Sequence, residues 1–402
     1  MELICLLKYT EFHHPILVFF ILPLGENEPL IQKNYSMQQL FSKPSFLVDE
    51  NKCRRNIATM IAKAKKHNLI FRPHFKTHHS IEIGRWFREM GTEKITVSSV
   101  DMARYFASDG WKDITIAFPV NWHEINKINE LSSKINLNLL VESMETVRFL
   151  NQNLKNNVGI FIKIDTGYHR TGISVNNTAF ISELISEIKN TPSLTLKGFL
   201  AHNGHTYKTN SIKEIEEIHL GSLRELSKLK AKFQDMKTPL IVSIGDTPGA
   251  STMDDFTGTD ELRPGNFVFY DLVQEQLGSC SYGDISVVTA CPVVAKHLDR
   301  KSLIIYGGGV HLSKESLKMP NSEQIFGKIV LLKEIGWSEP IQDCYLSSIS
   351  QEHGVITASE SFFNSINIGE LIGVLPVHSC MTADLQNAYF NFEGKIIPNH
   401  RS

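Results

Sequence analysis

The sequence predicts a (β/α)8 TIM barrel followed by a second, β-rich domain. From Glu50 onward, extended segments rich in β-branched residues alternate eight times with segments of helical spacing, over about 220 residues. After Asp271 the pattern changes to short apolar runs separated by Gly, Pro and Ser, which is typical of a β-rich domain. We therefore assign residues 34–275 to the barrel and residues 276–402 to the second domain. An open doubly wound sheet remains the alternative, because periodicity does not show whether a sheet closes.

The predicted elements follow one another regularly. A helix with Ile57, Met60, Ile61 and Ala64 on one face precedes the first strand. The eight predicted barrel strands cover residues 68–76, 94–100, 113–119, 135–142, 158–166, 194–204, 240–246 and 262–271. The apolar runs of the second domain lie at residues 285–295, 302–306, 328–332 and 370–375.

Composition and charge exclude several classes of protein. The 402 residues contain 42% hydrophobic and 21% charged residues, values of an ordinary globular chain rather than a disordered or fibrous one. A net charge of -2 shows no excess of basic residues of the kind that nucleic-acid-binding proteins carry. The six cysteines lack the spacing of zinc fingers or of small secreted domains, which favours free thiols in a reducing compartment.

Residues 1–33 are predicted to be an extension outside the fold. The apolar run at residues 15–24 is too short to span a bilayer, although its length fits the core of a signal peptide. Glu2 and Glu11 accompany Lys8 in this segment, and no small-x-small cleavage site follows it. We therefore expect a cytoplasmic protein with no membrane partner, with export as the alternative.

The residues that could carry chemistry fall at the carboxyl ends of the predicted strands, where barrel enzymes have their active sites. Lys76 ends the first strand, residues 165–172 follow the fifth and residues 201–207 follow the sixth. The glycine-containing segment 245–251 follows the seventh strand, and Arg263 opens the eighth. The segment lacks the Lys-Ser/Thr of a nucleotide-binding loop, so it suits a small phosphate. A lysine facing a phosphate loop suggests pyridoxal phosphate.

Each of these features also has a simpler interpretation. Lys76 taken alone is more often a surface lysine. Segment 245–251 could be only a turn, and Arg170 and Arg263 could pair with carboxylates. Their joint placement at one barrel mouth favours a site.

Four motifs resemble those of the fold type III pyridoxal phosphate enzymes. They are Arg-Pro-His-Phe-Lys-Thr-His around Lys76, Asp-Thr-Gly-x-x-Arg-x-Gly around Arg170, Gly-x-Thr-Pro around Thr247, and Leu-Arg-Pro-Gly-Asn-Phe-Val-Phe-Tyr-Asp from Leu262. The similarity is greatest to the D-serine dehydratase and D-threonine aldolase group, whose barrel is related to that of alanine racemase. It runs from about Asn34 to His400.

This resemblance implies a role for each motif. Lys76 would bind the cofactor covalently and act as the catalytic base, Thr247 and neighbouring amides would hold its phosphate, and Arg170 would approach the pyridine nitrogen. The other predicted cofactor-binding residues are Tyr168, His202, Tyr207, Gly245 and Arg263. The resemblance also implies a homodimer with sites completed across the interface.

A second constellation, His378 and Cys380, lies near the C-terminus. Alternate residues of a strand share a face, so the imidazole and the thiolate could bind one ion. Spacing alone favours a buried cysteine beside a hydrogen-bonded histidine. The resemblance supplies a His-x-Cys metal pair on the second domain and thereby reverses this preference, with Zn²⁺ as the predicted ion. Glu352, His353 and Gly354 resemble a family motif near the metal or, alternatively, form a polar turn.

The sequence thus predicts a lyase that depends on pyridoxal phosphate and a metal and acts on small D-3-hydroxy amino acids. The preferred reaction is that of a D-serine dehydratase, which gives pyruvate and ammonia, because Cys380 fits the His-x-Cys form associated with dehydratases. A D-threonine aldolase, releasing glycine and an aldehyde, is the alternative, since aldolases tend to carry Asp there. A racemase, a non-catalytic pyridoxal phosphate carrier and an inactive barrel are less favoured.

Overall fold

The computed structural model describes residues 40–233, 239–319 and 322–401. The predicted extension at residues 1–33 lies outside these ranges. None of the helices in the described part of the chain is long and apolar enough to cross a membrane.

Eight parallel strands form the barrel, as the sequence predicts. Strand β1 (Ser45–Val48) precedes them, and β7 (Ile173–Ser174) pairs only with β6. The barrel strands are β2 (Ile70–Phe71), β3 (Lys94–Val97), β4 (Asp113–Pro119), β5 (Asn136–Val141), β6 (Val158–Asp165), β8 (Leu194–Leu200), β9 (Ile241–Ile244) and β10 (Glu261–Leu262). They follow the order β2-β10-β9-β8-β6-β5-β4-β3. A bridge between His74 and Thr96 joins the segment after β2 to β3 and completes the ring.

The first and eighth strands are shorter than the sequence predicts. The predicted first strand ends as β2 at Phe71, and the predicted eighth strand ends as β10 at Leu262. Pro73 and Pro264 follow closely, and a proline has no N–H to donate to a strand ladder. The regular strands therefore end early at both positions, although the His74 amide still bonds to the Pro264 carbonyl at 2.8 Å before the chain enters the loop that contains Lys76.

The helices of the barrel domain begin at polar caps. They are α1 (Glu50–Lys66), α2 (Ile81–Glu89), α3 (Val100–Ser108), α4 (Ile125–Ser132), α5 (Met144–Asn153), α6 (Thr178–Lys189), α7 (Ile212–Lys232) and α8 (Thr247–Thr252). Side chains such as those of Asp49, Ser80, Ser143 and Ser211 accept a backbone N–H from the first turn. Helix α1 buries its predicted apolar face against the barrel core.

The second domain is built on a nine-stranded sheet with the order β12-β17-β16-β15-β18-β11-β1-β19-β20. Its elements are α9 (Leu272–Gln276), β11 (Val287–His297), β12 (Ser302–Tyr306), α10 (Gly309–Leu312), β13 (Leu317–Lys318), β14 (Gln324–Ile325), β15 (Gly327–Val330), β16 (Tyr345–Ile349), β17 (His353–Thr357), α11 (Glu360–Ser365), β18 (Leu371–Pro376), α12 (Ser379–Asp384), β19 (Ala388–Phe390) and β20 (Ile396–Pro398). Strand β1 pairs antiparallel with β11 although it precedes the barrel in sequence. The predicted domain boundaries stay a prediction.

A buried ionic network lies where the barrel strands are shortest. Arg72 Nε lies 2.6 Å from Glu261 Oε2, and Arg72 Nη1 lies 2.6 Å from Asp113 Oδ1. Glu261 is fully buried and also accepts a hydrogen bond from Ser243 Oγ at 2.6 Å. Ser243 Oγ in turn accepts from Arg263 Nε at 2.6 Å. The network therefore connects the barrel wall to an arginine of the predicted site.

We expect Arg72→Met to destabilise the protein by about 3–5 kcal/mol, because it leaves the buried carboxylate of Glu261 without its charged partner. Chemical denaturation measures the free energy of unfolding. Lys134→Ala is the matched control, since its ion pair with Glu130 is exposed and should contribute little to the free energy of unfolding. Equal losses in the two variants would show that the buried network does not hold the barrel.

Candidate active site

A cavity of about 850 Å³ lies at the carboxyl ends of the barrel strands and reaches the second domain. The predicted residues that line it are Lys76, Tyr168, Arg170, His202, Tyr207, Gly245, Arg263, His378 and Cys380. Thr247 does not line this cavity; it begins helix α8, with its side chain fully buried. The fold thus brings residues from loops after five strands together with two residues of the second domain.

Lys76 lies in the loop after β2, where the chain has left the barrel wall. Its amide donates to His74 Nδ1 at 3.3 Å. Burial lowers the pKa of the Lys76 amine, and the positive charges of Arg170 and Arg263 add to this effect against the opposing charge of Cys380. A larger fraction of the amine is therefore neutral and nucleophilic than for an exposed lysine.

Tyr168 and Arg170 lie in the loop after β6 and pack on the loop after β8. The Arg170 guanidinium lies 5.0 Å from the centre of the Tyr168 ring, and that ring stacks on His205. A Cβ on Gly204 would lie 2.4 Å from the Tyr168 ring, so a glycine is needed there. Among the residues that the structure describes, neither Arg170 nor Arg263 lies in a direct ion pair with a carboxylate, although the charge of Glu261 acts on Arg263.

The loop after β9 is held in place from several sides. The Asp246 carboxylate accepts the Gly249 amide at 2.7 Å, and the Thr247 amide donates to Tyr207 Oη at 3.0 Å. A Cβ on Gly245 would lie 2.6 Å from the Arg263 carbonyl oxygen. The Thr247 side chain is fully buried beside the cavity rather than in its wall. Gly245 does line the cavity, and the backbone of its glycine-containing turn suits a phosphate oxygen.

His202 is held in one tautomer by this loop. Its Nδ1 contacts the Gly245 carbonyl oxygen, which can only accept, so Nδ1 carries the proton. Burial keeps the pKa of His202 well below its usual value, and the charge of Lys76 lowers it further. The ring is therefore neutral, and its Nε2 is a hydrogen-bond acceptor.

His378 and Cys380 come together, but not on a strand as the sequence interpretation assumed. Strand β18 ends at Pro376, His378 is the N-cap of α12, and Cys380 lies in its first turn. Burial opposes a charged imidazole, yet the hydrogen bond and charge of Cys380 raise the pKa of His378 to about 9. Burial likewise opposes the thiolate, but His378 lowers the pKa of Cys380. Each group therefore favours the charged form of the other.

Sequence reasoning missed several residues. Lys163 lines the cavity, and burial followed by the charge of Arg263 lowers its pKa to about 8. A lysine within the apolar strand β6 was the signal for it. Thr77 Oγ1 and Asn266 Nδ2 each lie 3.3 Å from Cys380 Sγ.

The residues predicted near the metal at positions 352–354 do not line the cavity. Glu352 instead lies 3.7 Å from His311 Nε2.

We expect Gly245→Ala to displace the loop after β9, because the added Cβ meets the backbone of Arg263. The free energy of unfolding should fall by about 1–3 kcal/mol, and titration should show weaker binding of pyridoxal phosphate. Gly221→Ala, in open space on helix α7, is the control and should stabilise by about 0.5–1 kcal/mol. Unchanged stability and cofactor affinity in Gly245→Ala would show that the loop tolerates a side chain.

Two families match consecutive parts of the chain. Residues 48–272 match the alanine racemase N-terminal domain, and residues 286–392 match the putative serine dehydratase domain. The D-serine dehydratase of Dictyostelium discoideum is 28% identical over 383 residues, which cover 88% of this chain and 94% of that protein. The D-threonine aldolase of Arthrobacter sp is 21% identical over 352 residues, which cover 86% of this chain and 87% of that protein.

The fold is also that of a solved enzyme. The D-threo-3-hydroxyaspartate dehydratase from Delftia sp. HT23 superposes with a TM-score of 0.82 at 24% identity, covering 91% of this chain and 99% of that one. Two mutant structures under the same enzyme name superpose with TM-scores of 0.83 and 0.84. One has a histidine and the other a cysteine replaced by alanine, and the cysteine mutant is a metal-free form. The barrel and the match over residues 48–272 together place this chain in the alanine racemase N-terminal domain family.

Proposed function

We propose that this protein is a pyridoxal phosphate- and metal-dependent lyase, a D-serine dehydratase that converts D-serine to pyruvate and ammonia. The main support for this proposal is that three residues line one cavity. Lys76 comes from the barrel, and His378 and Cys380 come from the second domain. The cavity therefore offers an amine base and a pair of metal-binding groups to one small substrate.

The residues present fit pyridoxal phosphate. Lys76 supplies a buried amine with a lowered pKa, and the turn at Gly245, which lines the same cavity, suits the phosphate. Arg170, which the resemblance assigns to the pyridine nitrogen, and Tyr168, which it assigns to the pocket wall, both line the cavity. When bound, the cofactor draws electrons away from the substrate's Cα and makes its proton removable.

The pair of His378 and Cys380 fits a metal ion. An imidazole and a thiolate suit the borderline softness of Zn²⁺. The described residues contain no group of three or more His, Cys, Asp and Glu side chains that could hold an ion. The histidine and cysteine replaced in the two Delftia-type mutant structures are two positions apart, the spacing of His378 and Cys380. When bound, the ion would act as a Lewis acid toward a hydroxyl group.

The chain's own residues account for the proton transfer. Because burial and two arginines lower the pKa of Lys76, more of its amine is neutral, and its Nζ can accept the proton from Cα. The β-hydroxyl then leaves as water, and hydrolysis of the remaining product gives pyruvate and ammonia. The positive charges of Arg170 and Arg263 favour the neutral form of the amine before the proton transfer.

An aldolase is the second candidate, because the same residues could serve it. If the β-hydroxyl loses its proton, the bond between Cα and Cβ breaks and an aldehyde leaves. Similarity to the Arthrobacter aldolase supports this candidate, whereas the cysteine at position 380 and the serine dehydratase match favour the dehydratase. The homodimer and the cytoplasmic location remain predictions from the sequence.

Borohydride reduction of the holoenzyme should fix the pyridoxyl group on Lys76, and peptide mapping identifies the labelled residue. The matched competitor is Lys163, whose amine lies in the same cavity but donates to the Ile164 carbonyl at 2.8 Å. Lys76→Met should lose the covalent cofactor, and Lys163→Met should retain it. A label on Lys163 would overturn the assignment.

The purified enzyme should release ammonia and pyruvate in equal amounts from D-serine and none from L-serine. Cys380→Ala should lower the rate by at least about 100-fold, since outer-shell groups of metal sites alone contribute 10–100-fold. Cys280→Ala, outside the cavity, is the control and should keep full activity.

Other outcomes would identify other reactions. Glycine and acetaldehyde from D-threonine, without ammonia from D-serine, would identify an aldolase. Interconversion of enantiomers alone would identify a racemase. Full activity of Cys380→Ala would make the His378 and Cys380 pair structural.

A further inference from the structure

Thr77 connects the predicted cofactor lysine to the predicted metal site. It follows Lys76 directly in the chain and is fully buried. Its Oγ1 lies 3.3 Å from Cys380 Sγ, so a barrel residue contacts a second-domain residue that is 303 positions away. Thr77 is thus the neighbour of Lys76 in the chain, and its hydroxyl contacts a predicted metal ligand.

Asn266 contacts the same sulfur from another loop of the barrel domain. Its Nδ2 lies 2.7 Å from Asp271 Oδ2 and 3.3 Å from Cys380 Sγ. The Asp271 carboxylate can only accept a hydrogen bond, so the nitrogen of the Asn266 amide, rather than its oxygen, faces that carboxylate. Asp271 also accepts the Ser379 amide at 2.9 Å, next to Cys380. The position of the sulfur is therefore set by groups on both sides of it.

The direction of these hydrogen bonds follows from the chemistry of a metal-bound sulfur. Such a sulfur is a thiolate without a proton, so the Thr77 hydroxyl can only donate to it. The Asn266 amide, which also reaches Ser379 Oγ at 3.0 Å, can likewise only donate to the sulfur. We propose that Thr77 and Asn266 are positioning residues that hold Cys380 for a metal ion, and that Thr77 transmits occupancy of this site to Lys76. This inference rests on the metal site of the proposed function.

The surroundings of Thr77 leave little room for it to move alone. A Cβ on Gly265 would lie 3.1 Å from Thr77 Oγ1, so the two loops are in close contact. The next residue, His78, is fully buried, with its ring centre 4.4 Å from that of Phe75 and 5.7 Å from that of Phe87. In a close-packed region a displaced group moves its neighbours. A shift of Thr77 toward Cys380 is therefore passed to the adjoining Lys76.

The test compares Thr77→Val, which has the same shape but no hydroxyl, with Thr77→Ser, which keeps it. Competition with a chromophoric chelator should show Zn²⁺ affinity about 10-fold weaker in Thr77→Val and close to wild type in Thr77→Ser. In the wild-type holoenzyme, Zn²⁺ should also shift the absorbance band of the bound cofactor, and this shift should be lost in Thr77→Val. Thr289→Val is the control, because its buried hydroxyl lies outside the cavity.

The outcomes separate this inference from the function on which it rests. Wild-type Zn²⁺ affinity together with an unchanged band shift in Thr77→Val would overturn the inference and leave the metal site standing. A wild-type protein that binds no Zn²⁺ would overturn the metal site as well. If Thr77→Val does not fold, Thr77→Ala lacks the same hydroxyl without added bulk and should give the weakened affinity and the lost shift.

Discussion

The contact between Arg72 and Glu261 is the interaction on which the barrel depends most. Strands β2 and β10 have only two residues each, so few backbone hydrogen bonds hold the wall between them. Arg72 compensates by binding Glu261 and Asp113 through separate guanidinium nitrogens, both at 2.6 Å. A buried ion pair gives little net stability compared with an apolar pair of the same shape, but either charge without the other is costly. The network therefore specifies one arrangement of the seam below the Lys76 loop.

The same network positions Arg263, a cationic residue of the site, through Ser243. Arg263 donates to Ser243 and also to the Ala201 carbonyl at 2.6 Å, so its guanidinium is fixed to β9 and to the end of β8. Burial lowers the pKa of Arg263 to about 10, which is still high enough to keep it charged near neutral pH. Its positive charge acts on Lys76, Lys163 and His202 together. The barrel network thus contributes to keeping these bases neutral.

The second domain contributes a group to the site, Cys380, whose charge opposes that of the arginines. His378 lowers the pKa of Cys380, and the charge of Cys380 opposes the effect of the arginines on the pKa of Lys76. Contacts from Thr77 and Asn266 attach this pair to the barrel. Strand β1, which pairs with β11, ties the chain before the barrel to the same second domain. The cofactor side and the metal side therefore belong to one packed unit rather than to two independent modules.

The sequence by itself determined the barrel, the β-rich second domain and nine of the residues that line the cavity. These features follow from local periodicity and from the rule that loops after parallel strands meet at one end of a barrel. Tertiary structure decided the rest. The His378 and Cys380 pair was expected from strand alternation but forms at a helix N-terminus, while Thr247 lies beside the cavity. The contacts of Thr77 and Asn266 with Cys380 join residues 303 and 114 positions apart. No local pattern encodes such contacts, because they arise only when the two domains pack together.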